Sequence, residues 1–388
     1  MARHCKQCLG NKQTMEVIDS SKYVGVVSLF LFLLSCTLFK AANAQPEGFV
    51  SIDCGGERNR TDLDTNITWV TDDHYLHNNL GVKAESYYNY ALRHFYLGSL
   101  LVFPKPVKKA CYELPLTPNV PHLLRVSFVD ANSTGSRGFN YSIETSDMLY
   151  MENVIPYYCL VCRSEHILVS TDKVVHICLI RTSECDDPFI SAIELRPLQK
   201  GMYKRAKPGT MLNLIERDDM GDAYEVTRYP QDKFDRRWIP WLPDGTCSVN
   251  ASDRVSVSSN TNFPPLNVMQ TAVVSNTSNS NRIYFTLGTY DTGNSILLLY
   301  FANLNLTETN LFSVGINNAI QNQSIPLKDF SALELEFEFN GTRGATMILE
   351  SNTPNQSPII NAVEIYSLVL TKPATSLDDG QCPISFLI

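Results

Sequence analysis

One eight-residue phrase occurs twice, and it constrains the fold more than any other feature of the chain. Pro188–Leu195 reads PFISAIEL and Pro358–Ile365 reads PIINAVEI, 170 residues apart. Proline, isoleucine, alanine and glutamate recur at the same places. Upstream, LLRVSF (Leu123–Phe128) pairs loosely with LLLYFA (Leu297–Ala302) at a similar offset. A fixed long offset predicts two copies of one domain, and 388 residues leave room for both. The first copy is expected over residues 45–198 and the second over 210–373. Residues 199–209, with Lys200, Lys204, Arg205 and Lys207 ahead of Pro208-Gly209, read as a linker.

Each copy reads as β. Leu333–Phe339 is LELEFEF, a strict alternation that sends leucine and phenylalanine to one face and glutamate to the other. His122–Val129, Val174–Ile180, Ile283–Leu287, Ser295–Phe301, Met347–Leu349 and Ala362–Leu370 are rich in β-branched and aromatic residues. Asn, Ser, Pro and Gly clusters separate them. No long segment carries a 3.6-residue apolar period. The fold class is therefore all-β, two tandem sandwiches or jelly rolls.

The N-terminus sets the expected compartment. A polar, mildly basic stretch precedes the apolar run Val24–Phe39, and Ala42-Asn43-Ala44 offers a small-residue cleavage site before Gln45. Residues 1–44 thus read as a secretory signal. An uncleaved anchor through 24–39 is the alternative, placing the chain at the cell membrane or an endomembrane. Either way, residues 45 onward are expected outside the cytosol, secreted to the apoplast if cleavage occurs. Ten N-glycosylation triplets agree: Asn59, Asn66, Asn132, Asn140, Asn250, Asn276, Asn305, Asn322, Asn340 and Asn355. Beyond the leader lie eight cysteines: Cys54, Cys111, Cys159, Cys162, Cys178, Cys185, Cys247 and Cys382. An even number in an oxidising compartment predicts disulfides whose connectivity the sequence leaves open. Cys159-x2-Cys162-x3-His166 and His176-x-Cys178 contain zinc-type ligands, but disulfides are the better reading there, so no metal is expected. His74-x-x-His77 reads as a surface pair.

Other functions are excluded or unsupported. The net charge is −8 and no basic cluster is long enough to follow a phosphate backbone, so nucleic acid is not expected. There is no G-x-S-x-G elbow and no phosphate-cradling glycine loop, and no pair among the 40 acidic residues stands out as catalytic. The chain reads as a binding module with no cofactor, not an enzyme.

Several blocks in order resemble the malectin-like ectodomains of plant receptor-like kinases. These are GFVSIDCGG (Gly48–Gly56), WVTDDHY (Trp69–Tyr75), ACYELP (Ala110–Pro115), DDPFISAIELRPL (Asp186–Leu198), RYPQDKFDRRWIPW (Arg228–Trp241), PPLNVMQTAV (Pro264–Val273) and PIINAVEIYSL (Pro358–Leu368). The resemblance implies two tandem jelly-roll sandwiches and carbohydrate binding, or descent from it. It also implies a following leucine-rich-repeat stalk, membrane span and kinase. Residues 374–388 read as an atypical tail, so a soluble form or a truncated one, without these parts, is the expectation. By similarity to animal malectin, which binds a glucose disaccharide, Tyr112 stands where an aromatic stacks on sugar and Asp187 where a carboxylate binds hydroxyls. Tyr88, Tyr90, Asp186 and Phe189 complete the implied site. Met269–Ala272 replaces the tyrosine-bearing segment in the second copy, so no sugar site is expected there. Asp235 and Trp238 are expected to brace the start of the second domain. The expected partner is a cell-wall or N-glycan-like oligosaccharide, or else a peptide or receptor protein.

Overall fold

The computed structural model describes residues 45–373 except 77–79, 87–93, 130–137, 156–160, 182–186, 222–223, 251–254, 258–260, 278–279, 289–292, 305–309, 318, 328–330, 342–344 and 354–355. The leader, the tail, His77, Tyr88, Tyr90, Asp186, Cys159, Cys185, Cys382, Asn132, Asn305 and Asn355 lie outside the described residues.

Nine strands join in one long sheet that runs through both halves of the chain. From one edge come Val50–Asp53, Ala192–Pro197, His122–Val129 and Val161–Leu168, and then Thr210–Met220, Ala362–Leu370, Asn294–Ala302 and Ala332–Asn340. Ile239–Trp241 adds to Thr210–Met220 in parallel. The two halves meet where Val161–Leu168 pairs antiparallel with Thr210–Met220, with His166 opposite Asn213 and Ile167 opposite Leu212. The repeated phrases fall on equivalent strands. Ala192–Pro197 and Ala362–Leu370 are each second in their half of the sheet, and His122–Val129 and Asn294–Ala302 are each third.

Each half is a sandwich. Lys109–Pro115, Val174–Ile180, Phe139–Thr145 and Met148–Val154 form the facing sheet of the first half. Arg282–Thr286, Thr346–Ser351, Asn310–Ile316 and Ala319–Leu327 form that of the second. Inward residues fill the space between: Val126, Phe128, Phe139, Tyr141, Ile177 and Ile193 in the first, and Leu297, Leu299, Phe312, Val314, Met347 and Ile365 in the second. The alternation in LELEFEF behaves as its period dictates. Leu333, Leu335, Phe337 and Phe339 pack on the second core, while Glu336 and Glu338 turn outward to Arg205 at 2.6 and 2.9 Å.

The stretch expected to be a linker is not a loose spacer. Met202, Tyr203 and Ala206 are buried, within a third apolar cluster that spans both halves and includes Leu123, Ile167, Leu212, Trp238, Ile296 and Tyr366. The Tyr203 backbone N–H donates to Asn262 Oδ1 at 2.7 Å. A chain buried this way holds the two sandwiches in one orientation.

The cysteine expectation is met in part and corrected in part. Cys111 and Cys178 sit opposite each other on neighbouring strands and are bonded, and Cys162 is also disulfide-bonded. Cys54 and Cys247 are free. Cys54 is fully buried at the end of the edge strand, packed in the first core, and Cys247 is exposed. His166 is engaged by Tyr141 and Asn213, and no group of three metal-ligating side chains converges among the described residues.

One glycosylation candidate is also corrected. Asn140 lies inside the strand Phe139–Thr145, is fully buried, and accepts a 2.8 Å hydrogen bond from Asn153. A glycan there has no route to solvent. Asn59, Asn66, Asn250, Asn276 and Asn340 are exposed, and Asn322 lies in the strand Ala319–Leu327. Glycopeptide mapping of protein from a secretory host is expected to find glycan on several of the exposed five and none on Asn140. Occupancy of Asn140 in folded protein would contradict this packing.

Candidate functional site

Of the residues singled out for sugar binding in the first half, Tyr112, Asp187 and Phe189 are described, and these three do not form a stacking site between them. Along Lys109–Pro115 the burial alternates, so Ala110, Tyr112 and Leu114 all point inward. Tyr112 is fully buried, and its hydroxyl donates to Asp72 Oδ1 at 2.7 Å. This corrects the stacking role: the ring has no face open to a ligand. Phe189 is likewise buried, with its ring 5.2 Å from that of Phe139. Asp187 is half exposed, and its carboxylate is held by Arg181 at 2.6 Å. Nearby, Tyr96 is buried and stacks flat on Trp69 with ring centres 3.7 Å apart.

What surrounds Tyr112 is a small buried polar cluster. Asp72, from the Asp72–His74 turn, accepts from Tyr112 and from the Gly55 backbone N–H at 2.7 Å. Asp53 accepts a short hydrogen bond from Ser99. Burial pushes the Asp53 carboxyl up to about 6, and Asp72 rises for the same reason. Gly55 must stay small and left-handed: a Cβ there would meet the Leu100 carbonyl at 2.4 Å. These groups fix the edge loop against the three-stranded sheet of Phe189–Ile190, Ser99–Val102 and Val82–Glu85.

The largest charged constellation lies at the junction of the halves, and the sequence reading missed most of it. The glutamate shared by the repeated phrases becomes Glu194 in one half and Glu364 in the other, both buried. Arg125 pairs with Glu194 at 2.6 Å and with Glu165 at 2.7 Å. Arg217, in the second half, pairs with Glu165 at 2.6 Å and Glu364 at 2.8 Å. Asp235, fully buried, is held by Arg196 at 2.9 Å and by Arg228 at 2.8 Å. Arg228 also donates to the Tyr96 hydroxyl at 3.0 Å. Asp232 holds Arg236 at 2.7 Å and the Trp238 indole N–H at 2.7 Å. Burial alone would raise the Asp235 carboxyl, but the guanidiniums of Arg228 and Arg196 outweigh it and hold the group well below the usual carboxylate range. The RYPQDKFDRRW block is therefore a clamp folded over the long sheet. Removing one member of such a buried set leaves its partners' charges uncompensated, at a cost of about 3–5 kcal/mol.

Among the described residues, clefts open to solvent in each half. One, of about 400 Å³, is lined by Glu144, Thr145, Ser146, Asp172, Lys173, Val174 and His176. The other, of about 220 Å³, is in the second half and is lined by Glu216, Asp218, Ile239, Pro240, Trp241 and Thr286. Burial, and then the charge of Glu216, push the Asp218 carboxyl up to about 7. Glu216 is raised by burial, and its carboxylate accepts from the Gly288 N–H at 3.2 Å.

The model of the malectin-like domain matches residues 52–368. The chain belongs to the malectin-like domain family. A leucine-rich repeat receptor-like serine/threonine-protein kinase of Arabidopsis thaliana is 27% identical over 357 residues, covering 87% of this chain and 40% of that protein. The receptor-like kinase IOS1 of the same plant is 26% identical over 353 residues, covering 88% of this chain and 39% of that protein. This malectin-like chain thus spans about two fifths of the length of the curated relatives it matches. Among solved structures, the ANX2 ectodomain from Arabidopsis thaliana superposes with a TM-score of 0.70 at 17% identity, covering 83% of this chain and 97% of that one. A plant complex of the peptide RALF23 with FER and LLG2 gives 0.71 at 13% identity, covering 85% and 97%. These likenesses establish the fold.

Two predictions follow from the charged groups. Asp235→Ala is expected to cost about 3–5 kcal/mol, read as a large fall in secreted yield and in the denaturant midpoint. An unchanged midpoint would mean that the clamp does not hold the junction. Asp218 titrates at about 7 in the folded protein against about 3.8 in the unfolded chain, so the folded state holds the proton between those values. Its stabilising contribution is complete below pH 4 and is lost as pH rises through 7. Asp218→Asn is expected to remove that dependence and, at pH 8, to stabilise by at most about 4 kcal/mol. Parallel stability–pH curves for wild type and Asp218→Asn would refute it.

Proposed function

We propose that this chain is an extracellular recognition module of receptor-kinase type whose ligand is a polypeptide. One observation carries the choice of polypeptide over sugar in the first half: the aromatic a sugar would stack on, Tyr112, is inside the core with its hydroxyl bound to Asp72. Support comes from three further directions. The relatives matched in sequence are receptor-like kinases. A structural neighbour, FER, is seen with the peptide RALF23 and the protein LLG2. The Cys111–Cys178 bond and the exposed sequons suit an oxidising, glycosylating compartment and an apoplastic site of action. No helix among the described residues is long and apolar enough to cross a membrane. The rigid pairing of two sandwiches through one sheet suits presentation of loops to a large partner, and fold alone does not fix the ligand.

A second reading rests on the cleft of the second half. Trp241 is partly open there beside Glu216 and Asp218. An indole face with two carboxyls is the combination that packs on a pyranose ring and binds its hydroxyls. In this reading an oligosaccharide binds the second sandwich instead of the first.

The test is the full chain, made in a secretory host, screened in parallel on displayed peptide libraries and on an oligosaccharide array. Selected peptides binding in solution, with no retained glycan, is the expected result. Glycan binding that Trp241→Ala abolishes in folded protein would replace the peptide reading with the second one. Glycan binding that Asp187→Ala abolishes would restore the first-half pocket.

A further inference from the structure

The two copies differ at one place where the first fills its core and the second opens a cleft. Matching Glu364 to its counterpart Glu194 aligns their partner strands, since Ser51 pairs with Glu194 and Arg217 with Glu364. Val50 and Ile52 of the first half therefore correspond to Glu216 and Asp218 of the second. The parallel neighbour repeats as well: Ile52 bridges Val70, and Asp218 pairs with Ile239. Val50 and Ile52 are buried members of the first core. Glu216 and Asp218 pair directly across from Ile365 and Val363, which belong to the second core, so both carboxyls sit on the core side of the sheet. There they line the cleft of about 220 Å³ together with Trp241 and Thr286. Among the described residues neither has a cation. Glu216 accepts from the Gly288 N–H, and Asp218 makes no hydrogen bond or ion pair. Arg217, between them in the chain, is engaged by Glu165, Glu364 and the Tyr366 hydroxyl. Carboxyls set on a core-facing surface without partners are unfavourable in the free protein.

We propose that this cleft takes a basic side chain of a polypeptide partner, arginine before lysine, with Glu216 and Asp218 pairing the cation and Trp241 stacking on it. This rests on the polypeptide reading of the ligand and locates one point of its contact. The Trp241 ring is partly exposed and is backed by Phe285, with ring centres 5.9 Å apart. A planar guanidinium stacks on an indole while its fork meets carboxylates, which an ammonium does less well. The proton that Asp218 holds up to about 7 is the one such a cation displaces to solvent. The cleft is smaller than the roughly 300 Å³ at which small-molecule pockets begin, so it suits one side chain better than a saccharide. Its rim is apolar and open: Ile239 and Leu242 flank Trp241 in the chain, and Tyr284 shares the outward face of its strand with Thr286. An acidic slot with an aromatic wall inside an apolar rim has the layout of a protein contact, the rim excluding water from the anchor.

The test uses the full secreted chain at low salt and pH 8, above the value near 7 at which Asp218 ionises. Three probes are compared: a short peptide with one arginine between two leucines, the same peptide with citrulline for arginine, and a neutral glucan tetrasaccharide. Wild type is expected to bind the arginine peptide at least tenfold more tightly than the citrulline peptide. Asp218→Asn and Trp241→Ala are each expected to weaken arginine-peptide binding at least tenfold, and Glu57→Gln, an exposed acid of the first half, to leave it unchanged. Asp218→Asn keeps the shape of the side chain and is expected to hold or raise the melting temperature at this pH, so its loss of binding is not a loss of fold. Failure of wild type to bind the arginine peptide, equal binding of the citrulline peptide, or full binding by Asp218→Asn would each overturn the proposal. Tetrasaccharide binding that Trp241→Ala abolishes would hand the cleft to the oligosaccharide reading. Library peptides that bind wild type and Asp218→Asn equally well would sink this anchor and leave the polypeptide reading standing, whereas a library screen that returns no peptide would remove both.

Discussion

The pairing of Asp235 with Arg196 and Arg228 is the interaction on which the arrangement of the two sandwiches depends. Arg196 belongs to the first half, while Asp235 and Arg228 belong to the segment that opens the second. Bonded together under the clamp, they tie the segment down across the long sheet. Glu165 does the same from another direction, shared between Arg125 and Arg217. The opposite face of the seam is stitched by neutral groups. His166 bridges Tyr141 and Asn213 at 2.7 Å each, and Asn213 donates to Tyr150 at 2.8 Å. Among the described residues, backbone pairing joins the halves at two residue pairs of the long sheet and at a bridge where the Leu149 N–H donates to the Lys372 carbonyl at 2.7 Å, so these side chains carry much of the geometry. Charges placed there hold one orientation more strictly than apolar packing would, since a displaced buried ion has nowhere favourable to go.

The dependence runs both ways. The clamp's own shape requires Asp235 in the left-handed backbone region, φ 57°, which aspartate tolerates better than most residues. In that conformation its carboxylate accepts from the Tyr229 backbone N–H as well as from arginine. The clamp thus closes on itself and on the sheet at once. Trp238, buried beneath it, supplies the apolar mass, with Arg217 and Arg236 over its ring at 5.7 and 5.1 Å.

Much of the architecture was legible because it rests on period and repetition. LELEFEF announces a half-buried strand by itself, and the twice-written phrase lands on matching strands. The role of its glutamate was not legible. Glu194 lies on the face opposite the core residues Ile193 and Leu195, and only Arg125, 69 residues away, and Arg228, 34 away, together with Arg196, make that face a buried, paired one. Tyr112 shows the reverse case. The alternation of Ala110, Tyr112 and Leu114 already places the ring with the core residues, but resemblance to a sugar-binding relative pointed it outward.

The two halves are joined by the last strand of one meeting the first strand of the next, and the second half ends on an equivalent last strand, Ala332–Asn340. The first described strand, Val50–Asp53, lies at the other edge. Val70 covers the outer side of that strand: its N–H donates to the Ser51 carbonyl and its carbonyl accepts from the Asp53 N–H, each at 2.9 Å. Glu336 and Glu338 stand along the terminal strand with Arg205 drawn over them, and Asn294 donates to Glu338. A row of acid at the terminal strand makes docking of another copy costly. The same alternation that builds the second core thus also lines the end of the sheet with charge, which disfavours further strand pairing there.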